Sequence, residues 1–193
     1  MNAAPEAVFD FWFGGPNGDE FGQSRRQWFV KDANFDQEIR ARFLPTFEDA
    51  ARGDLNAWRD DPKHCLSLIV LLDQFPRNMF RATPRAFATD PMALENARMA
   101  IDLRYDMAVN SLERIFFYLP SEHSEDIADQ ILCVELVQDL VDADPARADF
   151  LTYAQRHYDV IERFGRFPHR NDILRRESTP DEIEFLQQPG SSF

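Results

Sequence analysis

The segment from Lys63 to about Phe75 constrains the fold most, because Leu66, Leu68, Ile69, Val70, Leu71 and Leu72 leave it no polar side. A helix that is apolar all round has to be covered by neighbours in every direction. Asp60 or Asp61 supplies a cap and Pro62 falls in the first turn, so the spacing predicts a helix that starts there. Pro76 is expected to stop it at about Phe75. With 193 residues, 44% of them hydrophobic, the chain has enough material to bury such a helix in one domain spanning 1–193.

The covering elements also read as helices. Pro5 and Glu6 open an aromatic segment, Val8 to Phe13, that ends in the loop Gly14-Gly15-Pro16-Asn17-Gly18. Phe35, Ile39, Phe43 and Phe47 recur every four residues and predict an amphipathic helix to about Arg52, kinked at Pro45 and stopped by Gly53. Asp90-Pro91 opens a helix over Met92 to Leu103, and Asn110-Ser111 begins another that Pro120 stops. Ser124 is expected to cap Glu125 to Leu140, and Asp144-Pro145 to open a long helix that ends at Phe164 before Gly165. Thr179 and Glu182 around Pro180 make a capping box for a short last helix. Strand patterns are nearly absent, so the expected class is all-α.

Two elbows interrupt this pattern. Leu71-Leu72-Asp73-Gln74-Phe75-Pro76-Arg77-Asn78-Met79-Phe80-Arg81 and Arg163-Phe164-Gly165-Arg166-Phe167-Pro168-His169-Arg170-Asn171 each carry Phe-Pro and then Arg-Asn where an apolar helix should stop. The net charge is −13, yet residues 74–104 and 156–176 are each net positive. An acidic body repels nucleic acid at long range, and two basic islands in it suit a small anion better. The planar guanidinium fork matches carboxylate or phosphate, which makes Arg77, Arg81, Arg166 and Arg170 candidate anion clamps, with Arg163, Asn78 and Asn171 beside them. Asp73 and Gln74 end a buried helix, so they need partners, either in a ligand or within the fold.

His123 and His169 are the acid–base candidates, with Asp73, Glu125 or Asp126 as the orienting carboxylate. Tyr118 and Gln130 complete the expected polar surface between helices. His157 lies on the apolar stripe with Ala154, Ile161 and Phe164, where it reads as a core histidine more readily than as a catalyst. Ser124 reads as a cap, and no Gly-x-Ser-x-Gly elbow occurs. The histidines at 64, 123, 157 and 169 show no metal-binding spacing, and no phosphate-cradling glycine loop or dinucleotide fingerprint is present, so no metal or cofactor is expected.

No stretch reaches the roughly 18 apolar residues of a membrane span. Met1 to Gly15 lacks a basic leader, and Cys65 and Cys133 fall at apolar helical positions. The expectation is a cytoplasmic protein with buried, reduced thiols.

Taken together, Trp28-Phe29-x-Lys31-Asp32, Leu71 to Asn78, Ala86-Phe87-Ala88-x-Asp90, Phe117-Tyr118-x-Pro120, His123-Ser124-Glu125, Gln130 and Arg163 to Asn171 resemble an uncharacterised bacterial domain-of-unknown-function family in the tetratricopeptide-repeat-like superfamily. The resemblance covers nearly the whole chain and implies a right-handed stack of antiparallel helix pairs. It implies no reaction. Arg104 and Arg175 depart from it, standing where glycine is common.

Three functional readings follow from the residues. The main one is a binder of a small anion, phosphate or carboxylate, which includes the case of an enzyme, with the two elbows meeting in an inter-helical pocket. The others are a tetratricopeptide-like scaffold for protein partners and a buried ion-pair network with no ligand. Oligomeric state is not legible.

Overall fold

The computed structural model describes residues 3–15 and 22–191. Pro16-Asn17-Gly18 of the expected first loop lies outside them. The helices are α1 (Pro5–Phe13), α2 (Ala33–Ala51), α3 (Pro62–Met79), α4 (Asp90–Asp102), α5 (Ser111–Glu122), α6 (Ile127–Ala143), α7 (Ala148–Phe164) and α8 (Pro180–Leu186), joined by short 3-10 turns. No strand occurs among the described residues, so the all-α class holds. The chain divides into two compact units, Met1–Arg81 with Arg85–Pro120 and Ala82–Pro84 with Ser121–Phe193.

In the first unit α3 packs against α1, α2 and α4 and is buried on every side, from Cys65 through Leu72. Asp61 caps it by accepting from the backbone N–H groups of Lys63 and His64. The four-residue repeat of α2 delivers Phe35, Ile39, Phe43 and Phe47 to the core, and the helix is continuous across Pro45. Phe75 sits among Phe11, Trp12 and Phe43 at ring-centroid distances of 6.0, 5.5 and 5.0 Å.

Pro76 does not end α3, which continues to Met79. A proline inside a helix removes the N–H that would bond the carbonyl four residues back, here that of Leu72. The buried hydroxyl of Thr89 donates to that carbonyl at 2.6 Å. An external donor thus replaces the missing bond. Arg77 and Asn78 therefore lie on the last helical turn and not in an irregular elbow, and Arg40 satisfies the Met79 carbonyl at 2.9 Å.

In the second unit α6 and α7 pack together, and Gly165 closes α7 in the left-handed conformation at φ 67°. Asp126, not Ser124, caps α6, accepting from the Ala128 N–H at 2.9 Å. Ser124 lies before the helix start: its oxygen accepts from the Asp126 N–H at 3.2 Å while its hydroxyl donates to Asp129 at 2.6 Å. The capping box of α8 forms as expected. Arg104 and Arg175 adopt φ of 61° and 57°, so both arginines occupy backbone that favours glycine.

Thr89→Val keeps the shape of the side chain and strands the Leu72 carbonyl. It should cost about 1–3 kcal/mol in urea unfolding, with Thr89→Ser near wild type. Equal stability of all three proteins would refute this account of how α3 passes its proline.

Candidate functional site

In the first unit every polar residue singled out at the α3 elbow has a partner within that unit. Arg77 donates both ends of its fork to Asp90 at 2.8 and 3.0 Å and also reaches the Asp73 carbonyl at 2.6 Å. The Asp73 carboxylate lies 3.2 Å from Arg77 and accepts from Gln74. Burial alone would lower the Arg77 pKa, but Asp73 and Asp90 outweigh it and hold it above the ordinary value. Arg81 grips Asp36 with two bonds of 2.5 and 2.8 Å, and Asn78 donates to the same carboxylate at 2.8 Å. Asp36 stands in the first turn of α2, so this cluster ties the end of α3 to the start of α2.

Tyr118 is fully buried and belongs to a separate triad. Its hydroxyl donates to Asp106 at 2.7 Å and accepts from Arg114 at 2.6 Å. Burial first, then the Asp106 carboxylate, raises its pKa, so the phenol stays protonated and serves as a link.

The second elbow is closed the same way inside the second unit. Arg166 forks onto Glu182 at 2.6 and 2.8 Å and reaches the Glu177 carbonyl at 2.8 Å. Asn171 donates to Glu182 at 3.2 Å and to Ser178 at 3.0 Å. Arg166 first, with the Thr179 N–H assisting, holds the Glu182 pKa down at about 2 against the opposing effect of burial. Glu125 accepts from both ends of the Arg176 fork at 2.6 and 2.9 Å and from the Phe167 N–H at 2.8 Å. Burial would raise its pKa, but Arg176 and that N–H keep it below the usual carboxylate range. Arg163 is exposed and lies over the ring of Phe164. A depression of about 400 Å³ beside Arg166 is lined by Arg163, Arg166, Asp181 and Glu182, two charges of each sign.

Three histidines gather under this elbow. His157 is buried, with its ring 6.3 Å from His123 and 5.6 Å from Phe167, and His169 lies 5.6 Å from Phe167. The Nδ1 of His157 lies 2.9 Å from the Tyr153 carbonyl and 3.4 Å from Glu122. Burial pushes the imidazole down to about 3, and His123, Arg170 and His169 act in the same direction. Arg170 is buried and stacks over Phe167 at 4.4 Å.

Gln130 is buried, and its amide donates to the carbonyls of Ser121, Glu122 and Ser124. It therefore terminates α5, and Asp126 is an exposed cap. Among the described residues no group of three or more His, Cys, Asp or Glu is placed to hold a metal. Cys65 and Cys133 are free and buried, and burial pushes the Cys65 thiol up to about 12.

Asp36, Asp90 and Glu182 were missed as partners of the elbow arginines, and Arg176 as the partner of Glu125. Asp90 reads as a helix start and Glu182 as part of a capping box, roles that hide the second use of each carboxylate. Asp36 and Arg176 carry no motif at all.

The chain belongs to the family described as bacterial protein of unknown function (DUF924), whose profile matches residues 8–190. It is similar to a protein of unknown function, ATU0120 from Agrobacterium tumefaciens, at 43% identity over 95% of this chain and 96% of that one, with a TM-score of 0.83. No curated protein matches.

The low pKa of His157 predicts a specific acid limb. The unfolded chain takes up this proton near the ordinary value of 6.5 and the folded chain only near 3, so stability is lost as pH falls between them. The contribution to the slope is about 1.4 kcal/mol per pH unit. Glu182 adds a second loss, from 4.5 down to about 2. His157→Gln should flatten the upper part of the limb in urea titrations run at several pH values. An unchanged slope would contradict the buried neutral imidazole.

Proposed function

We propose that the chain is a non-catalytic helical scaffold whose Arg-Asn motifs are internal latches. On this reading it is a single cytoplasmic domain of the tetratricopeptide-like class that works by holding protein partners. The observation that supports it is that the forks of Arg77, Arg81, Arg166 and Arg176 are each filled by one carboxylate of the chain itself. A fork whose two parallel donors already hold a carboxylate of the chain no longer offers that edge to an incoming phosphate or carboxylate, and displacing the internal acid would strand a partly buried charge.

The second reading, a site for a small anion that extends to an enzyme, draws on the gathering of His123, His157, His169 and Arg170 around Phe167. There His123 or His169 would move the proton and Arg170 would hold the anion.

Thermal melts separate the two. Phosphate, sulfate, citrate and acetate at about 10 mM should leave the wild-type melting point where chloride of equal ionic strength leaves it. Arg176→Met should lower it in every buffer. A rise of several degrees with one of these anions, abolished by Arg170→Met, would establish the anion site instead.

A further inference from the structure

The most one-sided stretch of the molecule lies outside both elbows. From Ile115 to Ala146 the sequence contains eight Asp or Glu and no Lys or Arg. Helix α6 runs through the middle of it and buries Asp129, Gln130, Cys133, Val137 and Leu140. On another side it carries Ile127, Ile131, Val134, Gln138 and Val141, spaced by four, three, four and three residues. That is the spacing of a seam made to meet another helix, with one polar residue inside it. Ile127 and Ile131 are 40% and 44% exposed, Val134 and Val141 half-buried, and Gln138 exposed.

Glu135, Asp139 and Asp142 flank the seam and are exposed. They have no basic neighbour on α6, since the helix has none. Gln138 is already turned toward this flank, its amide donating to Asp142 at 2.7 Å. A second copy of the same face would bring acids against acids, which like-charge repulsion disfavours. An occupant that places apolar residues on the seam and lysines or arginines along the acidic flank satisfies both halves of the surface.

We propose that the outer face of α6 is a docking surface for a cationic amphipathic helix of a partner protein, with Ile127 and Ile131 as the apolar anchors and Glu135 and Asp142 as the charges that orient it. The proposal rests on the scaffold reading and names the partner's chemistry. Two exposed isoleucines and a charged rim make a small contact, so the complex is a transient one of modest affinity. Buried anchors set its lifetime, while the rim sets its salt dependence and the speed of association.

The test uses the full chain and a synthetic helical peptide of three heptads with leucine at the seam positions and lysine on the flanks. Fluorescence anisotropy should show saturable binding that weakens with added salt. A peptide of the same composition in scrambled order should not bind, which separates docking from the general pull of an acidic protein. Ile131→Asp should weaken binding at least about tenfold, the loss expected of one apolar anchor. The double variant Glu135→Lys, Asp142→Lys should lose the cationic peptide and gain its glutamate-flanked counterpart, whereas the control Asp102→Lys on α4 should change neither. Circular dichroism melts of each variant confirm that the surface substitutions leave the fold intact.

No binding of the cationic peptide, or binding that Ile131→Asp leaves unchanged, overturns the proposal while leaving the scaffold reading in place. A dimer that Ile131→Asp disperses in sedimentation would overturn it in favour of a second copy. The scaffold reading fails separately, in the anion melts.

Discussion

A guanidinium withdrawn from water needs a carboxylate, and this requirement decides where both elbows of the chain come to rest. Arg77 and Arg81 cannot leave solvent at the end of α3 without counter-charges, which Asp90 at the start of α4 and Asp36 at the start of α2 supply. Both acids sit in first turns, where they also complement the helix dipole. In the second unit Glu182 does the same for Arg166 at the first turn of α8. In these three contacts the fork near one helix end is read by an acid at another helix start. The arrangement fixes direction as well as proximity, because two parallel bonds tolerate little rotation. Replacing such pairs with apolar residues can leave stability unchanged, so their value here is in specifying which ends meet.

Much of this was legible in the sequence, and for physical reasons. The all-round apolar character of Leu66 to Leu72 required a buried helix, and α3 is one. The fourfold spacing of Phe35, Ile39, Phe43 and Phe47 gave the inward face of α2. Gly165 and the Thr179 box end and start helices as their chemistry dictates. The elbow at Pro76 was misread because proline rules are local, whereas the hydroxyl that rescues the helix comes from Thr89, 17 residues beyond the Leu72 carbonyl it satisfies. The Ser124 cap was placed two residues early: the helix begins at Ile127, and Asp126, next to it, accepts the first free N–H, while Ser124 accepts only that of Asp126.

The polar residues were the harder problem. Sequence identified Arg77, Arg81, Arg166, Asn78 and Asn171 as unusual, and each does sit in a bonded cluster. Whether a cluster of arginines awaits a ligand or holds an acid of the same chain depends on contacts between elements, such as Arg81 with Asp36 or Arg176 with Glu125, 45 and 51 residues apart. No local pattern encodes those. Tyr118 and Gln130 show the same limit, since one closes a triad with Asp106 and Arg114 and the other ends α5. By contrast, the resemblance led to the expectation that Arg104 and Arg175 stand where glycine is common, and both adopt left-handed backbone.

The claim that these forks are structural is tested most directly by a double-mutant cycle on Arg77 and Asp90 in urea unfolding, using Arg77→Met, Asp90→Asn and the pair. If the two are bound to each other in the resting protein, each single change strands a partly desolvated charge and the pair costs less than the sum. The coupling should then be on the order of 2 kcal/mol. Strict additivity, with a coupling within about 0.5 kcal/mol of zero, would mean that Arg77 gains nothing from Asp90 and is held ready for something else.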